Sequence, residues 1–395
     1  MTNFDYVIDR HMTACLKHEF ATERGLPDNL LPLWVADMDF AAPPCVVEAL
    51  HGRVSHGIFG YTYVKPDYVE ACAGWFDRHF GWKPEGEWLI TTPGVVFALG
   101  MAVRAYTDPG DAVLLTSPVY YPFYEVIRDN DRRIVDCPLR EVNGRYELDL
   151  KCFEETIRRE KPCLFLLCSP HNPVGRVWTK EELRAIGEIC LRHGVIIASD
   201  EIHCDFTFPG HPHTPLLKAC PECADTAFIA TAPSKTFNIA GLQISNIWIP
   251  NAGLRERFRK QVSSAGYSQP NTLGLIAAQA AYAYGDQWHR ENWAYLQDNL
   301  AFFRDILATR LPELRLIEPE GTYFAWVDFS GLGLSAKEVT DFVIHKARLW
   351  LDSGSVFGEA FGQYQRFVLA SPRQVLAQAL LQLEYAVKQL SGEDA

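Results

Sequence analysis

Between residues 85 and 250, short apolar runs of strand length alternate with segments whose apolar residues recur at helical spacing. The clearest unit is "CLFLLCSPHNPVGRVWTKEELRAIGEICLRHGVIIASDE". It predicts a strand, a turn rich in Pro, Asn and Gly, a helix that begins after Thr179 and stops at Gly194, and a second strand. Glu182 stands three residues after Thr179, which is the spacing of a capping box. This alternation is typical of a mostly parallel sheet covered by helices on both faces.

The pattern changes after residue 270, where a long helical stretch is predicted from about Thr272 to about Thr309. Beyond it, "LRLIEPEGTYFAWVDF" and "RFVLASPR" alternate like strands, and "SAKEVTDFVIHKARLWL" is amphipathic. We therefore predict an α/β fold with two domains. The large domain spans residues 51–285, and a smaller α+β domain combines residues 286–395 with the N-terminal segment 1–50.

Composition narrows the choice of partners. The 395 residues carry a formal net charge of −12, and the pI is near 5.5. Nucleic-acid binders need clustered Lys and Arg in surplus, so no nucleic-acid partner is expected. The N-terminal residues lack the apolar stretch of a secretion signal, and no run approaches the roughly 18 apolar residues of a membrane span. Eleven cysteines fit free thiols in a reducing compartment, so we predict a cytoplasmic protein with no membrane partner.

One cysteine pair has the spacing of metal ligands. Cys220 and Cys223 form "CPEC", and His211 and His213 lie nearby. No second pair of this spacing accompanies them, and a loop with two ordinary cysteines explains the segment as well. No metal site is predicted.

Two predicted strand ends carry groups that suit a ligand. In "WLITTPGVVFALG", a strand turns into a helix whose first amides, at Gly94, Val95 and Val96, could cradle a phosphate. A tight turn alone would give the same sequence. In "AVLLTSPVYYPFYE", Tyr121 follows a strand, where its ring could stack on an aromatic cofactor or simply pack against the protein.

Three further polar residues follow predicted strands. Asn172 lies in "CSPHNPVG", Asp200 ends the apolar run of "VIIASDE", and Lys235 lies in "TAPSKTFNIAGLQ". A carboxylate directly after a buried strand is costly unless a cation or donor meets it. Each residue also has an ordinary interpretation, as a turn former, a cap or a solvated lysine. Because parallel strands deliver their carboxyl ends to one edge, we expect all three to lie close together.

One cofactor would use all of these groups. Pyridoxal 5'-phosphate (PLP) would place its phosphate on the helix start, its ring against Tyr121, its protonated nitrogen on Asp200 and its aldehyde on Lys235. The chain contains no G-x-G-x-x-G, no G-x-x-x-x-G-K-[ST] and no G-x-S-x-G motif, which would indicate other cofactors or chemistries. PLP is therefore the predicted cofactor.

Several segments resemble those of a known family. "SPHNPVGRVWTKEEL", "SDEIHCD", "APSKTFNIAGLQ" and "PEGTYFAW" are similar to the fold-type I, aspartate-aminotransferase-like PLP enzymes. "LLPLWVADMDFAAPP" and "GIFGYTYV" resemble the bacterial cystathionine β-lyase, or cysteine C–S lyase, branch. The resemblance runs from about residue 3 to the last helix. It implies the fold-type I transferase fold, with a mostly parallel seven-stranded sheet, and a homodimer with active sites at the subunit interface.

The resemblance also implies roles for individual residues around the cofactor ring. Lys235 would be the Schiff-base lysine, Asp200 the partner of the pyridine nitrogen and Tyr121 the stacking ring, and these three are the predicted catalytic residues. Asn172 would approach the phenolic oxygen of the cofactor and the substrate. His203 stands where many aminotransferases have Tyr, and it is frequent in the lyase branch, so it joins the predicted cofactor site.

At the phosphate, the resemblance implies the amides of Val95 and Val96 together with Ser234. Tyr61 of "FGYTY" would reach the phosphate and the substrate from the other subunit. Arg373 of "LASPR" would hold the substrate α-carboxylate, since a planar guanidinium suits bidentate recognition.

Two positions besides His203 depart from the wider superfamily. Gln243 stands where many aminotransferases have an arginine for the phosphate, and Val368 stands where relatives commonly have Asn. These departures are expected to affect substrate preference and to leave the core chemistry unchanged.

The implied reaction is β-elimination from a small amino acid such as cystathionine or cysteine, which gives a thiol, pyruvate and ammonia. Three alternatives stay open at this point. They are an aminotransferase with the same residues, a PLP-binding protein that also acts through protein contacts, and a Schiff-base aldolase on a (β/α)₈ barrel that needs no cofactor.

Overall fold

The computed structural model describes residues 2–392 and places its strands much as the hydrophobic pattern predicts. The strands are β1 (Leu31–Pro32), β2 (Leu89–Thr92), β3 (Ala112–Leu115), β4 (Arg133–Asp136), β5 (Arg140–Val142), β6 (Arg145–Glu147), β7 (Leu164–Cys168), β8 (Ile196–Asp200), β9 (Ala227–Thr231), β10 (Ser245–Trp248), β11 (Arg315–Ile317), β12 (Phe324–Asp328), β13 (Leu349–Trp350), β14 (Asp352–Ser353) and β15 (Tyr364–Val368).

Helices lie between most of these strands, and short 3₁₀ turns such as Thr22–Arg24 and Gly354–Phe357 connect others. The α-helices are α1 (Leu16–Glu19), α2 (Pro44–His56), α3 (Pro66–Phe80), α4 (Val95–Tyr106), α5 (Pro122–Arg128), α6 (Leu150–Glu160), α7 (Lys180–His193), α8 (Leu216–Ala219), α9 (Pro233–Thr236), α10 (Ala252–Ser264), α11 (Thr272–Tyr284), α12 (Asp286–Arg310), α13 (Ala336–His345) and α14 (Arg373–Ser391). The predicted capping box of α7 is confirmed, because Thr179 and Glu182 accept reciprocally from each other's backbone amides. Gly194 ends this helix at a φ of 68°.

The large sheet has seven strands in the order β2-β10-β9-β8-β7-β3-β4. Only β10 runs antiparallel to its neighbours, so the predicted mostly parallel seven-stranded sheet is confirmed. Successive residues of β7 alternate between two cores: Phe165 and Leu167 join one, and Leu164 and Leu166 join the other. The sheet is therefore buried on both faces, as strands that read as continuous apolar runs require.

A second sheet forms in the last quarter of the chain. Its four strands are antiparallel in the order β11-β12-β15-β14. The N-terminal segment reaches this region, because β1 pairs in parallel with β13 through Leu31 and Leu349. This α+β arrangement agrees with the predicted composition of a smaller domain, whereas the domain boundaries stay a prediction.

The predicted helical stretch from Thr272 to Thr309 is interrupted once, at Gly285, between α11 and α12. A Cβ at Gly285 would lie 2.4 Å from the carbonyl oxygen of Ala281 and 2.5 Å from the ring of Phe237, which explains why glycine stands there. None of the helices described between residues 2 and 392 is long and apolar enough to cross a membrane. Within the same residues, no three His, Cys, Asp or Glu side chains are grouped as metal ligands.

Candidate active site

Three of the predicted polar residues meet at the carboxyl edge of the large sheet. Strands β7, β8 and β9 are parallel neighbours, with Cys168 opposite Asp200 and Asp200 opposite Ala230. Asn172 follows β7 by four residues, and Lys235 follows β9 on the short helix α9. The charges of Asp200 and Lys235 affect each other's pKa, so the two groups lie within electrostatic range.

Lys235 presents its amine to a loop from the N-terminal segment. Its Nζ donates a hydrogen bond to the carbonyl oxygen of Ala36 at 2.7 Å, and the hydroxyl of Tyr323 donates to the same oxygen at 3.4 Å. Burial lowers the pKa of Lys235 to about 8, although the carboxylates of Asp37 and Asp200 oppose this change. An amine with such a pKa is partly neutral near pH 7, which a nucleophile or base requires.

Asp200 is a buried carboxyl group without a cationic hydrogen-bond partner among the described residues. Its Oδ1 accepts from the amide of Ile202 at 3.1 Å. The pKa of Asp200 is raised to about 7, mainly by burial and also by the charge of Glu201, whereas the hydrogen bond from Ile202 and the charge of Lys235 oppose this rise. A ligand that brings a cationic N–H to this position would compensate the buried charge.

His203 lies one turn beyond Asp200 and is also buried. Its ring packs edge-on against Tyr323 at 5.7 Å and Phe324 at 5.2 Å, and its Nδ1 has no partner within residues 2–392. Burial, together with the positive charges of Lys235 and Arg366, lowers the pKa of His203 well below its usual value, so the ring is neutral at physiological pH.

The start of helix α4 offers backbone amides to an anion, as predicted. Gly94 precedes the helix in an extended conformation, with φ −179°, and no atom lies within 4 Å of the position that a Cβ would occupy there. The carbonyl oxygen of Gly94 first accepts from Ala98, which leaves the amides of Val95 and Val96 ahead of the helical hydrogen bonds. Ser234 lies on α9, directly before Lys235, and is partly buried.

Tyr121 directly precedes helix α5 and is partly buried. Its ring centroid lies 5.1 Å from that of Tyr120 and 6.3 Å from that of Phe357. Asn172 is buried beside it, since the amide of Tyr120 donates to the carbonyl oxygen of Asn172 at 3.1 Å. The ring and the amide predicted from separate strand ends are thus brought to the same place.

Arg366 is a central residue of the site that the sequence prediction missed. It lies in the middle of β15 and is 1% exposed. Its guanidinium donates to Asn172 Oδ1 at 2.9 Å, to the carbonyl oxygen of Trp34 at 2.7 Å and to Asp352 Oδ2 at 2.5 Å. Its buried Nε has no partner within residues 2–392. The available signal was the pattern of "YQRFV", in which a charged residue interrupts an apolar strand and so needs a buried partner.

Arg373 is not brought to the site, which corrects the prediction. It is the first residue of α14, and its Nε donates to Asn299 Oδ1 at 2.8 Å while its guanidinium lies 4.8 Å from the ring centroid of Phe302. Pro372 sets the helix start, so the chain has already turned away from the sheet when it reaches this residue. Tyr61 lies in a loop and is 95% exposed in the single chain, so no contact of this residue with the site exists within one chain.

The sequence is similar to known proteins along nearly its whole length. Residues 28–382 match the family model described as aminotransferase class I and II. The chain belongs to this family. Within the aminotransferase class I and II family, it is 39% identical to cystathionine beta-lyase PatB of Bacillus subtilis, over 98% of this chain and 100% of that protein. It is 32% identical to protein MalY of Escherichia coli, over 98% and 99% of the two chains.

Solved structures give the same picture. Cystalysin from Treponema denticola, whose crystal structure contains a pyridoxal 5'-phosphate cofactor, matches with a TM-score of 0.95 and 36% identity, over 99% of this chain and 100% of that one. The PLP-bound C-S lyase from Staphylococcus hominis matches with a TM-score of 0.91 and 34% identity, over 98% of both chains. The predicted fold-type I transferase fold and the resemblance to the lyase branch are confirmed.

Proposed function

We propose that this chain is a PLP-dependent carbon–sulfur lyase, which eliminates a thiol from the β-carbon of cystathionine- or cysteine-type substrates and releases pyruvate and ammonia. The observation that carries this proposal is the meeting of the Lys235 amine and the Asp200 carboxyl, at the edge of the large sheet, with the Arg366 guanidinium of the second sheet, which binds Asn172. The relatives named above, cystathionine β-lyases and C–S lyases matched over nearly their full length, support elimination as the reaction.

The residues at the sheet edge fit PLP. Asp200 is buried with a raised pKa and would pair with the protonated ring nitrogen, which removes the cost of an isolated buried charge. Lys235 has the lowered pKa that an amine needs to react with an aldehyde near neutral pH. The free amides at Val95 and Val96, with Ser234, suit the phosphate. Tyr121 would cover the ring.

When bound, PLP withdraws electrons from the carbon that carries the substrate's amino group. Arg366 would hold the substrate carboxylate, because its Nε is buried without a partner and its guanidinium is fixed by Asn172 and Asp352. Lys235 Nζ would take the proton from Cα of the substrate. The bond between Cβ and sulfur then breaks, and its electron pair leaves on the thiolate. The three-carbon product hydrolyses to pyruvate and ammonia.

Aminotransfer is the second candidate, because it would use the same Lys235 amine as its proton carrier. The match to a family model that describes aminotransferases supports this candidate. We also propose that the active unit is a homodimer in which Tyr61 enters the partner's site, since Tyr61 is exposed in the single chain together with its neighbours Phe59 and Tyr63. A cytoplasmic location stays a prediction from the free cysteines.

The proposal is tested with the purified protein, first by its visible spectrum and then by pyruvate formation from L-cystathionine. A band from bound PLP and pyruvate without any added 2-oxo acid are expected, and the Lys235→Ala variant should lose pyruvate formation. Product that requires a 2-oxo acid would indicate an aminotransferase. A protein that binds no PLP when the cofactor is supplied in excess would contradict the proposal.

A further inference from the structure

A cavity of about 410 Å³ lies beside the N-terminal loop. A larger cavity, of about 920 Å³, opens directly from the site. Tyr121 and Asp352 line its inner end. Because Asp352 binds Arg366, this cavity begins where the substrate carboxylate is proposed to lie. A cysteine-sized substrate would leave most of it empty, so its walls are placed to meet the group attached to sulfur.

Arg24 lies on one wall of this cavity. It ends the 3₁₀ turn Thr22–Arg24, and Gly25 follows in the left-handed conformation at φ 68°. The guanidinium of Arg24 lies 4.6 Å from the ring centroid of Trp34 and 5.3 Å from that of Phe20. These rings hold a cation without neutralising it. Its side chain has no hydrogen-bond acceptor or carboxylate partner among the residues that the structure describes.

The position of Arg24 relative to the inner end of the cavity supports a role in binding. Its positive charge opposes the rise in pKa that burial causes at both Tyr121 and Asp352. Arg128, the other arginine of the cavity, lies over the ring of Tyr124 at 5.7 Å and affects the pKa of that tyrosine instead. Arg24 is therefore the cation that faces the path out of the site.

Three carboxylates also line the cavity. They are those of Glu125, Asp136 and Glu359. Asp136 is held in place, since its Oδ1 accepts from the amide of Ser117 at 3.0 Å and its Oδ2 from the Ser117 hydroxyl at 2.6 Å. A purely apolar leaving group would desolvate these charges without compensation. A leaving group that carries a charge therefore matches this lining better than an apolar one.

We propose that Arg24 selects substrates whose leaving group ends in a carboxylate. This inference rests on the proposed lyase function and assigns a specificity-determining residue to it. L-Cystathionine has such a distal carboxylate, whereas L-cysteine does not.

The test compares kcat and KM for S-(2-carboxyethyl)-L-cysteine, which has a distal carboxylate, with those for S-methyl-L-cysteine, which has no distal charge. Relative to the unaltered enzyme, Arg24→Gln should lower the ratio of the two kcat/KM values about tenfold, since a charge-assisted hydrogen bond is lost. The change should appear in KM for the carboxylate substrate. Arg24→Lys should restore part of the ratio. Arg24→Glu should turn preference toward S-(2-aminoethyl)-L-cysteine.

Arg128→Gln is the matched control, because it also removes an arginine that lies over a tyrosine in the same cavity. We expect it to change the ratio less than about twofold, since the charge is farther from the inner end. The inference would be overturned if Arg24→Gln lowered kcat/KM equally for both substrates. It would also be overturned if the two arginine variants changed the ratio of the kcat/KM values equally. If the unaltered enzyme forms no pyruvate from any of these substrates, the proposed lyase function itself fails.

Discussion

The candidate site has two walls that were built by different parts of the chain. The sheet wall consists of Asn172, Asp200 and Lys235 at the ends of parallel strands, and the opposite wall consists of Asp352 and Arg366 on antiparallel strands. In a parallel sheet every strand ends at the same edge, so position after a strand predicts position in the site. In an antiparallel sheet, successive strands end at opposite edges. The same argument therefore succeeds on one wall and fails on the other.

On the sheet wall, removal of the Lys235 amine should have the largest effect on activity. Lys235→Ala is expected to lower kcat for pyruvate formation by at least about 10³-fold, because the amine serves both as nucleophile and as base. The measurement is pyruvate release under saturating L-cystathionine. Lys260→Ala, at an exposed lysine on α10, is the control and should retain full activity. Undiminished turnover in Lys235→Ala would mean that the proton is moved by another group.

Asp200 should make the stability of the PLP-free protein depend on pH. Its pKa is raised to about 7 in the folded state, so between about pH 4 and pH 7 the folded chain holds a proton that the unfolded chain has lost. This stabilising contribution is present at low pH and disappears as pH rises through 7. We expect its loss to amount to about 4 kcal/mol across that interval.

Urea unfolding of the PLP-free protein at several pH values measures this effect. Asp200→Asn keeps an oxygen that can accept from Ile202 and has no charge to bury, so its advantage over the unaltered protein should grow from pH 4 to pH 7. If the free energies of unfolding of the two proteins changed with pH in parallel, Asp200 would be solvated or already paired in the absence of the cofactor.

The difference between the walls also explains what the sequence could predict. The sheet, the capping box at Thr179 and the meeting of Asp200 with Lys235 follow from local patterns and from strand direction. Arg366 could not be placed that way, because it lies within a strand and its partners come from residues far away in the chain. Arg373 was selected from the family resemblance at "LASPR", and the structure places its side chain on Asn299 and Phe302 instead.

The two arginines therefore offer a direct comparison of the walls. Arg366→Gln should lower kcat/KM for L-cystathionine about 10²-fold or more, since the substrate carboxylate loses a charged partner. It should also destabilise the protein by about 3–5 kcal/mol, because Asp352 is left buried without its cation. Arg373→Gln loses one hydrogen bond to Asn299 and should cost about 1 kcal/mol of stability, with kcat/KM changed less than about threefold.

Thermal unfolding of both variants separates loss of structure from loss of binding. Arg366→Lys adds a further check, because lysine keeps the charge beside Asp352 and lacks the planar fork. If Arg373→Gln impairs kcat/KM more than Arg366→Gln does, the carboxylate is held by Arg373, as the resemblance implies, and the opposite wall is misassigned.

Tyr61 belongs to neither wall of its own chain, and its substitution should have the smallest effect. Tyr61→Phe is expected to change the free energy of unfolding by less than about 0.5 kcal/mol, because the side chain is 95% exposed in the single chain. If the hydroxyl reaches the phosphate in a second subunit, the dissociation constant for PLP should rise about tenfold. PLP titration of the apoprotein measures this, and Tyr63→Phe in the same exposed loop is the control. Equal PLP affinities in the two variants would mean that both walls suffice and that the second subunit adds no group to the phosphate.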